Sequence, residues 1–344
     1  MKAGIFYKPH DVRVEEVPDP KIEKPTDAIV KITYTCICGS DLWWYRGISE
    51  RKPGGQIGHE FMGEVIKVGK DVKNVNVGDL AVGPFFWCDG KCPQCKKGMS
   101  SACLNGGSWG TKGTTGCQAE QLRVPYADAN LFTIPKGTDE KLMPSLLALS
   151  DVMGTGHHAA VSAGVTKGSV VAVVGDGAVG LCAVLASKRL GAKKIILMSR
   201  HEDRQKIGKQ FGATDIIADR GQEGIEKVKE LTETIGADCV LECVGGKEAR
   251  DMAIGMVRSG GRIGCVGVPH DVSDIPAGDI FWKNITIGGG IAPTASYTPE
   301  LLADVLSGKL DPSPVFNLTL PLSELSKGYE AMDKRKSTKV LIKP

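Results

Sequence analysis

Between residues 38 and 60 a thiol, an imidazole and two carboxylates stand close together: Cys38, Asp41, His59 and Glu60, in C-G-S-D-L-W-W-Y-R-G followed by G-H-E. The glycines among them let the backbone turn tightly and pass close to a bound group. Cys and neutral His are ligands that zinc prefers, and a catalytic zinc takes three protein ligands and leaves its fourth position to water or substrate. The stretch therefore predicts a catalytic zinc site that includes Cys38 and His59.

A second group of thiols, Cys88, Cys92, Cys95 and Cys103, is spaced C-x3-C-x2-C-x7-C in a segment rich in Gly and Lys. Four thiolates in a glycine-rich loop surround one tetrahedral zinc, and a shell closed by protein alone is structural because no position remains for substrate. On spacing alone a redox-active dithiol or a set of unligated thiols stays open as well. The 11 cysteines of the chain are an odd number, which fits poorly with a complete disulfide framework and better with metal ligands or buried thiols.

A third element is Gly175-Asp176-Gly177-Ala178-Val179-Gly180, a G-x-G-x-x-G. The pattern is short and weak alone, but here it follows the apolar run V-V-A-V-V and opens a helical pattern. In that setting the first glycine makes the turn, the second lets a pyrophosphate approach the backbone, and the third lets helix and strand pack. An acidic residue about 20 positions on would hold the ribose 2′-hydroxyl of NAD. The second strand instead ends Leu197-Met198-Ser199-Arg200, with Arg204 one helical turn further. A guanidinium fork suits a 2′-phosphate, so NADP is expected, with NAD as the less favoured coenzyme should Glu202 or Asp203 take the ribose.

The elements that must position these groups fall into two kinds. Up to about residue 150, short apolar or alternating runs are separated by Pro and Gly, such as A-I-V-K-I-T-Y-T and G-E-V-I-K-V-G, which predicts a mostly β unit. From Ser169, continuous apolar strands alternate with amphipathic helices, which predicts an α/β doubly wound parallel sheet. The boundaries expected are 1–153 for the catalytic domain, with the cysteine lobe at 86–108, then 154–292 for the coenzyme domain. Residues 293–344 hold two helical patterns and the strand K-V-L-I-K, and are expected to return to the first domain.

Composition sets the outer limits. With 344 residues, 42% hydrophobic and 24% charged, the chain carries the core of a two-domain globular protein. A net charge of +3, with no basic run, points away from nucleic acid and membrane surfaces. No secretory signal and no membrane-length apolar run is visible, which makes a cytoplasmic location the default.

Together these elements resemble the zinc-dependent medium-chain alcohol dehydrogenase family over essentially the whole chain, and Gly58-His59-Glu60, Gly63 and Gly69 reproduce its signature G-H-E-x2-G-x5-G. The resemblance implies a GroES-like catalytic domain followed by a Rossmann coenzyme domain. It implies Cys38, His59 and Asp151 as ligands of the catalytic zinc, and Glu60 as a carboxylate that approaches the metal when water or substrate leaves. Asp41 resembles the acid that orients the zinc-bound histidine, the alternative being an N-cap of the following turn. Ser40 resembles the hydroxyl that carries the proton from the alcohol, while Trp43 stands where a relay histidine is common. Trp43, Trp44 and Trp109 are candidates for the substrate pocket, and Val266, Gly267 and Val268 for the backbone that holds the nicotinamide carboxamide.

The cysteine lobe departs from the family's C-x2-C-x2-C-x7-C by one residue inserted before Cys92. Asp151 and Ser199-Arg200 are similar to the bacterial NADP-dependent secondary-alcohol branch, so the activity implied is reversible oxidation of a small secondary alcohol, with two zinc ions per subunit. Polyol, threonine and aldehyde-reducing relatives share the same metal and coenzyme chemistry, and a coenzyme-binding zinc protein without turnover is the reading from another class. The apolar run at Ile285–Ile287 beside G-G-G resembles the family's dimer-forming edge, which implies a homodimer or homotetramer.

Overall fold

The structure, a computed structural model, describes residues 1–111, 113–270 and 276–344. The chain divides into two compact units, Met1–Gly154 with Pro293–Pro344, and Thr155–Ala292.

The first unit is built on a seven-stranded sheet whose longest strand, Ala28–Ile37, pairs antiparallel with Phe61–Val68, Gln121–Val124 and Lys339–Lys343. Its apolar side chains lie in two buried clusters, one around Phe61, Leu122 and Trp109 and one around Ile37, Leu325 and Tyr329. The register puts chemistry at one end of the sheet. Thr35 is opposite Phe61, and Ile37 is opposite Val340, so the residues just past Ile37, just before Phe61 and just before Val340 meet there. Those residues are Cys38, the pair His59-Glu60, and Lys339. Close strand approach depends on Gly63, where an added Cβ would lie 2.1 Å from the Lys31 carbonyl oxygen.

The second unit is a six-stranded sheet with every neighbouring pair parallel, in the order Asp215–Ile217, Lys194–Met198, Val170–Val174, Ala237–Glu242, Val257–Cys265, Thr286–Gly289. The strand Val170–Val174 at the centre is apolar throughout, and helices such as Ala178–Arg189 and Lys247–Met256 pack on the sheet. Strand order reverses direction between Val170–Val174 and Ala237–Glu242, the switch point at which open α/β sheets take their ligands. The fold is the GroES-like and Rossmann combination expected. Among the described residues no helix is long and apolar enough to cross a membrane.

Three details differ from the sequence reading. Phe132–Ile134 and Phe316–Pro321 are strands that the reading did not assign. Both lie at the ends of the seven-stranded order, where a short edge strand has only one hydrogen-bonded neighbour and a weak apolar signal. Trp44 and Trp109 are core residues: Trp44 packs edge-on against Phe6 and near Tyr329, and Trp109 packs on Phe61 with its indole N–H donated to the Pro84 carbonyl at 2.9 Å.

Candidate metal and coenzyme sites

At the sheet end described above, Cys38, His59, Glu60 and Asp151 each present a ligand atom within 4.8 Å of the others. Cys38 Sγ is 3.4 Å from Asp151 Oδ2, and His59 Nε2 is 3.3 Å from the same oxygen and 3.9 Å from Glu60 Oε1. A thiol, an imidazole and carboxylates converging at such distances form a donor set suited to zinc. Glu60 Oε2 is buried without a hydrogen-bond partner, as a carboxylate facing a metal position would be.

The other ring nitrogen of His59 faces backwards. His59 Nδ1 lies 3.5 Å from Asp41 Oδ1, which favours the proton on Nδ1 and leaves the Nε2 lone pair for a metal. Asp41 is itself fixed: its Oδ2 accepts from the Cys38 N–H at 3.2 Å and from Gln118 Nε2 at 3.4 Å. The Tyr329 hydroxyl donates its one proton to Gln118 Oε1 at 2.9 Å and lies 3.5 Å from Asp41 Oδ2. Burial pushes the Asp41 carboxyl up, but His59 and the Cys38 N–H outweigh it, so the group stays below the ordinary carboxylate range. Asp41 therefore faces the imidazole and makes no N-cap; the cap position of the short helix Asp41–Tyr45 belongs to Ser40, whose hydroxyl makes no capping bond.

Behind Glu60 stands a group that sequence reasoning missed. Lys339 Nζ donates to Glu60 Oε1 at 2.6 Å, and both residues are almost wholly buried. Burial alone would push the lysine down, yet its neighbours, Glu60 in direct contact among them, hold it well above its ordinary value, so it is the cation that faces Glu60. Burial pushes the Glu60 carboxyl up, and Lys339 acts against that shift.

In the second unit the glycine motif leaves the Val170–Val174 strand as expected, with Gly177 as the N-cap of Ala178–Arg189. A Cβ on Gly180 would lie 1.9 Å from the Gly175 carbonyl oxygen, so only glycine lets the helix start this close to the turn. Ser199 and Arg204 both turn to Asp176, the residue between the first two glycines: the Ser199 hydroxyl donates to Oδ2 at 2.9 Å and Arg204 Nη1 to Oδ1 at 3.0 Å. Arg200 is exposed at the same strand end. The backbone N–H groups of Val266 and Gly267 donate to the Glu242 carbonyl at 2.9 and 3.2 Å, and Val268 is half exposed. Glu242 Oε1 accepts from the N–H groups of Val244 and Gly245, so a buried carboxylate shapes the turn facing this stretch.

Comparison with known proteins decides the family. The pattern of the Alcohol dehydrogenase GroES-like domain matches residues 24–136, and that of Zinc-binding dehydrogenase matches residues 178–307. Zinc-type alcohol dehydrogenase B of Aspergillus flavus is 35% identical, covering 100% of this chain and 81% of its own length. The chain belongs to the zinc-dependent medium-chain dehydrogenase family. L-threonine 3-dehydrogenase of Bacillus licheniformis is 34% identical over 100% of this chain and 99% of its own. Among solved structures, the alcohol dehydrogenase TADH from Thermus sp. ATN1 superposes with a TM-score of 0.92 at 35% identity, covering 100% of this chain and 99% of that one. Membership makes the protein an oxidoreductase of a family that works with zinc and a nicotinamide coenzyme.

The cysteine lobe of this dehydrogenase gathers three of the four expected thiols, Cys92, Cys95 and Cys103. Cys92 Sγ lies 3.5 Å from Cys95 Sγ and 3.8 Å from Cys103 Sγ, and all 11 cysteines are unpaired thiols. A tetrahedron with metal–sulfur bonds of about 2.3 Å has edges of about 3.8 Å, so these separations suit zinc and are far too long for a disulfide. The set of mutually close ligand atoms, however, is Asp89, Cys92, Cys95 and Cys103.

Proposed function

We propose that this chain catalyses the reversible, NADP-dependent oxidation of a small secondary alcohol. The observation that carries the metal half is the convergence of Cys38, His59 and Asp151 with Asp41 behind the imidazole. These three side chains would hold a catalytic zinc, with Glu60 as the carboxylate next to it, and the cysteine lobe would hold a second, structural zinc. Bound zinc supplies a Lewis acid that lowers the pKa of the substrate hydroxyl, as it lowers that of water from roughly 16 to about 7. Asp41, Gln118 and Tyr329 keep His59 in one orientation throughout. Ser40, half-buried beside Cys38, accepts the hydroxyl proton. Trp43 occupies the place of a relay histidine, so Ser40 passes the proton to coenzyme ribose or water. Gly175, Gly177, Ala178, Val179 and Gly180 would seat the pyrophosphate of the coenzyme and Val266 with Val268 its carboxamide, and the bound nicotinamide would supply the hydride acceptor.

The NADP preference rests on a charge count at one strand end. Arg204 neutralises Asp176, and Ser199 satisfies its other oxygen, which leaves Arg200 as the surplus cation for a 2′-phosphate. Losing one charge-assisted hydrogen bond costs about 1.5–3 kcal/mol, or roughly ten- to a hundredfold in affinity. Arg200→Ala is accordingly expected to raise KM for NADPH by about that factor and to leave KM for NADH nearly unchanged in steady-state assays. A second reading has its own support: Asp176, released from Arg204, would accept the ribose 2′-hydroxyl, and the enzyme would then prefer NADH. Initial rates with each coenzyme over a panel of secondary alcohols, ketones, polyols, threonine and aldehydes separate these outcomes. Turnover with none of them in zinc-replete protein would overturn the enzyme assignment.

We further propose self-association through the second sheet. Thr286–Gly289 is its edge strand, and the helix before it exposes Phe281 and Trp282 at 70% and 81%. An open edge beside exposed aromatics needs a covering partner, and a second copy supplies the same strand by symmetry. Trp282→Glu should shift the mass measured by light scattering towards that of a single chain; a monomeric wild type would remove the proposal.

A further inference from the structure

Granting the structural zinc just proposed, we infer that its fourth ligand is the Asp89 carboxylate and that Cys88 is a buried thiol outside the metal's shell. Ligand atoms of Asp89, Cys92, Cys95 and Cys103 lie within 4.8 Å of one another. The backbone follows the same centre, since the Asp89 N–H points at Cys103 Sγ at 3.2 Å. Counted from Asp89, the spacing is D-x2-C-x2-C-x7-C, and the residue that is inserted when Cys88 is counted disappears.

The carboxylate has a lone pair to give. Asp89 Oδ1 accepts from the N–H groups of Lys91 and Cys92 at 2.8 and 3.0 Å, and Oδ2 accepts from Asn105 Nδ2 at 2.6 Å. A carboxylate offers about four acceptor sites, so one remains. Ligating carboxylates are held by such outer hydrogen bonds. Among the described residues the partners of this buried carboxylate are neutral N–H groups, so a metal is the cation that its charge lacks.

Cys88 is held from the other side. Asn130 takes both of its backbone groups, with Oδ1 accepting from the Cys88 N–H at 2.9 Å and Nδ2 donating to the Cys88 carbonyl at 2.8 Å. Its thiol approaches the Ala129 carbonyl oxygen at 4.0 Å and reaches Cys95 within the cluster. Cys88 thus packs beside the thiolates while Asp89 closes the tetrahedron.

The test uses the intact enzyme loaded with zinc or with cobalt, whose thiolate charge-transfer absorption grows with the number of coordinating sulfurs. Cys88→Ala should keep wild-type zinc content by mass spectrometry and wild-type charge-transfer intensity. Asp89→Cys should raise that intensity by the share of one added thiolate, and Asp89→Ala should lose the lobe's zinc and lower Tm. Loss of the second zinc with Cys88→Ala, or its retention with Asp89→Ala, would overturn the inference. A wild-type enzyme with no zinc beyond the catalytic one would instead remove the structural-zinc reading itself, and the inference with it.

Discussion

Cys38→Ala is expected to lower kcat/KM by about a thousandfold and to empty the catalytic metal position. The Lewis acid is worth several kcal/mol of transition-state charge stabilisation, and at 1.36 kcal/mol per decade about 4 kcal/mol gives that factor. Cys38 is the only thiol in the group of four, the other donors being an imidazole and two carboxylates. Without it a soft, zinc-selecting ligand is gone, and Asp151 and Glu60 face His59 with less cationic charge to share. Kinetics read beside zinc content test this directly. Activity near wild type, with zinc retained, would show that Cys38 is not a ligand.

How this site was legible in the sequence depended on distance along the chain. Cys38, His59 and Glu60 lie just beyond two neighbouring strand ends and Asp41 opens the short helix that follows the first, so their types and proximity were visible in one short stretch. Asp151 carries no local signal and came only from resemblance. Lys339 was read as part of an ordinary terminal strand, K-V-L-I-K, because lysine at a strand end is normally solvated. Its partner is 279 residues away, and only the register of Val340 against Ile37 brings them together. Gln118 and Tyr329, which hold Asp41, were invisible for the same reason: they are 77 and 288 residues from it.

The coenzyme site shows a different failure. The glycines were legible because a φ of +111° at Gly175 and the close approach at Gly180 allow no other residue, and such constraints mark the sequence. Asp176 filled a variable position of that motif and was passed over, although it is the carboxylate that engages Ser199 and Arg204. The acid expected about 20 residues on is a neighbour along the chain, whereas the sheet places Val174 level with Met198 and so brings Asp176 to that strand end directly. In the cysteine lobe, spacing selected four thiols and had no means of preferring an aspartate one residue later.

Lys339→Met is expected to be the most destabilising single change near the metal, by about 3–5 kcal/mol, because it leaves Glu60 as a buried carboxylate without its cation. For a unit of this size that corresponds to a fall in Tm of roughly 10 °C. Methionine nearly matches the aliphatic stem, so lost packing contributes little and the effect reports the charge. Glu60 has two ways to respond: it takes a proton, or it turns its carboxylate, whose Oε2 has no hydrogen-bond partner, towards Cys38, His59 and Asp151. The second response would show as altered metal retention under chelation, a readout that plain unfolding does not give. Adding Glu60→Gln to Lys339→Met should recover part of the lost stability, since the stranded charge is then gone, and the coupling in that double-mutant cycle measures the pair itself. If the two losses simply add, Lys339 supports the strand by packing alone, and Glu60 is held in place by something other than its ion pair.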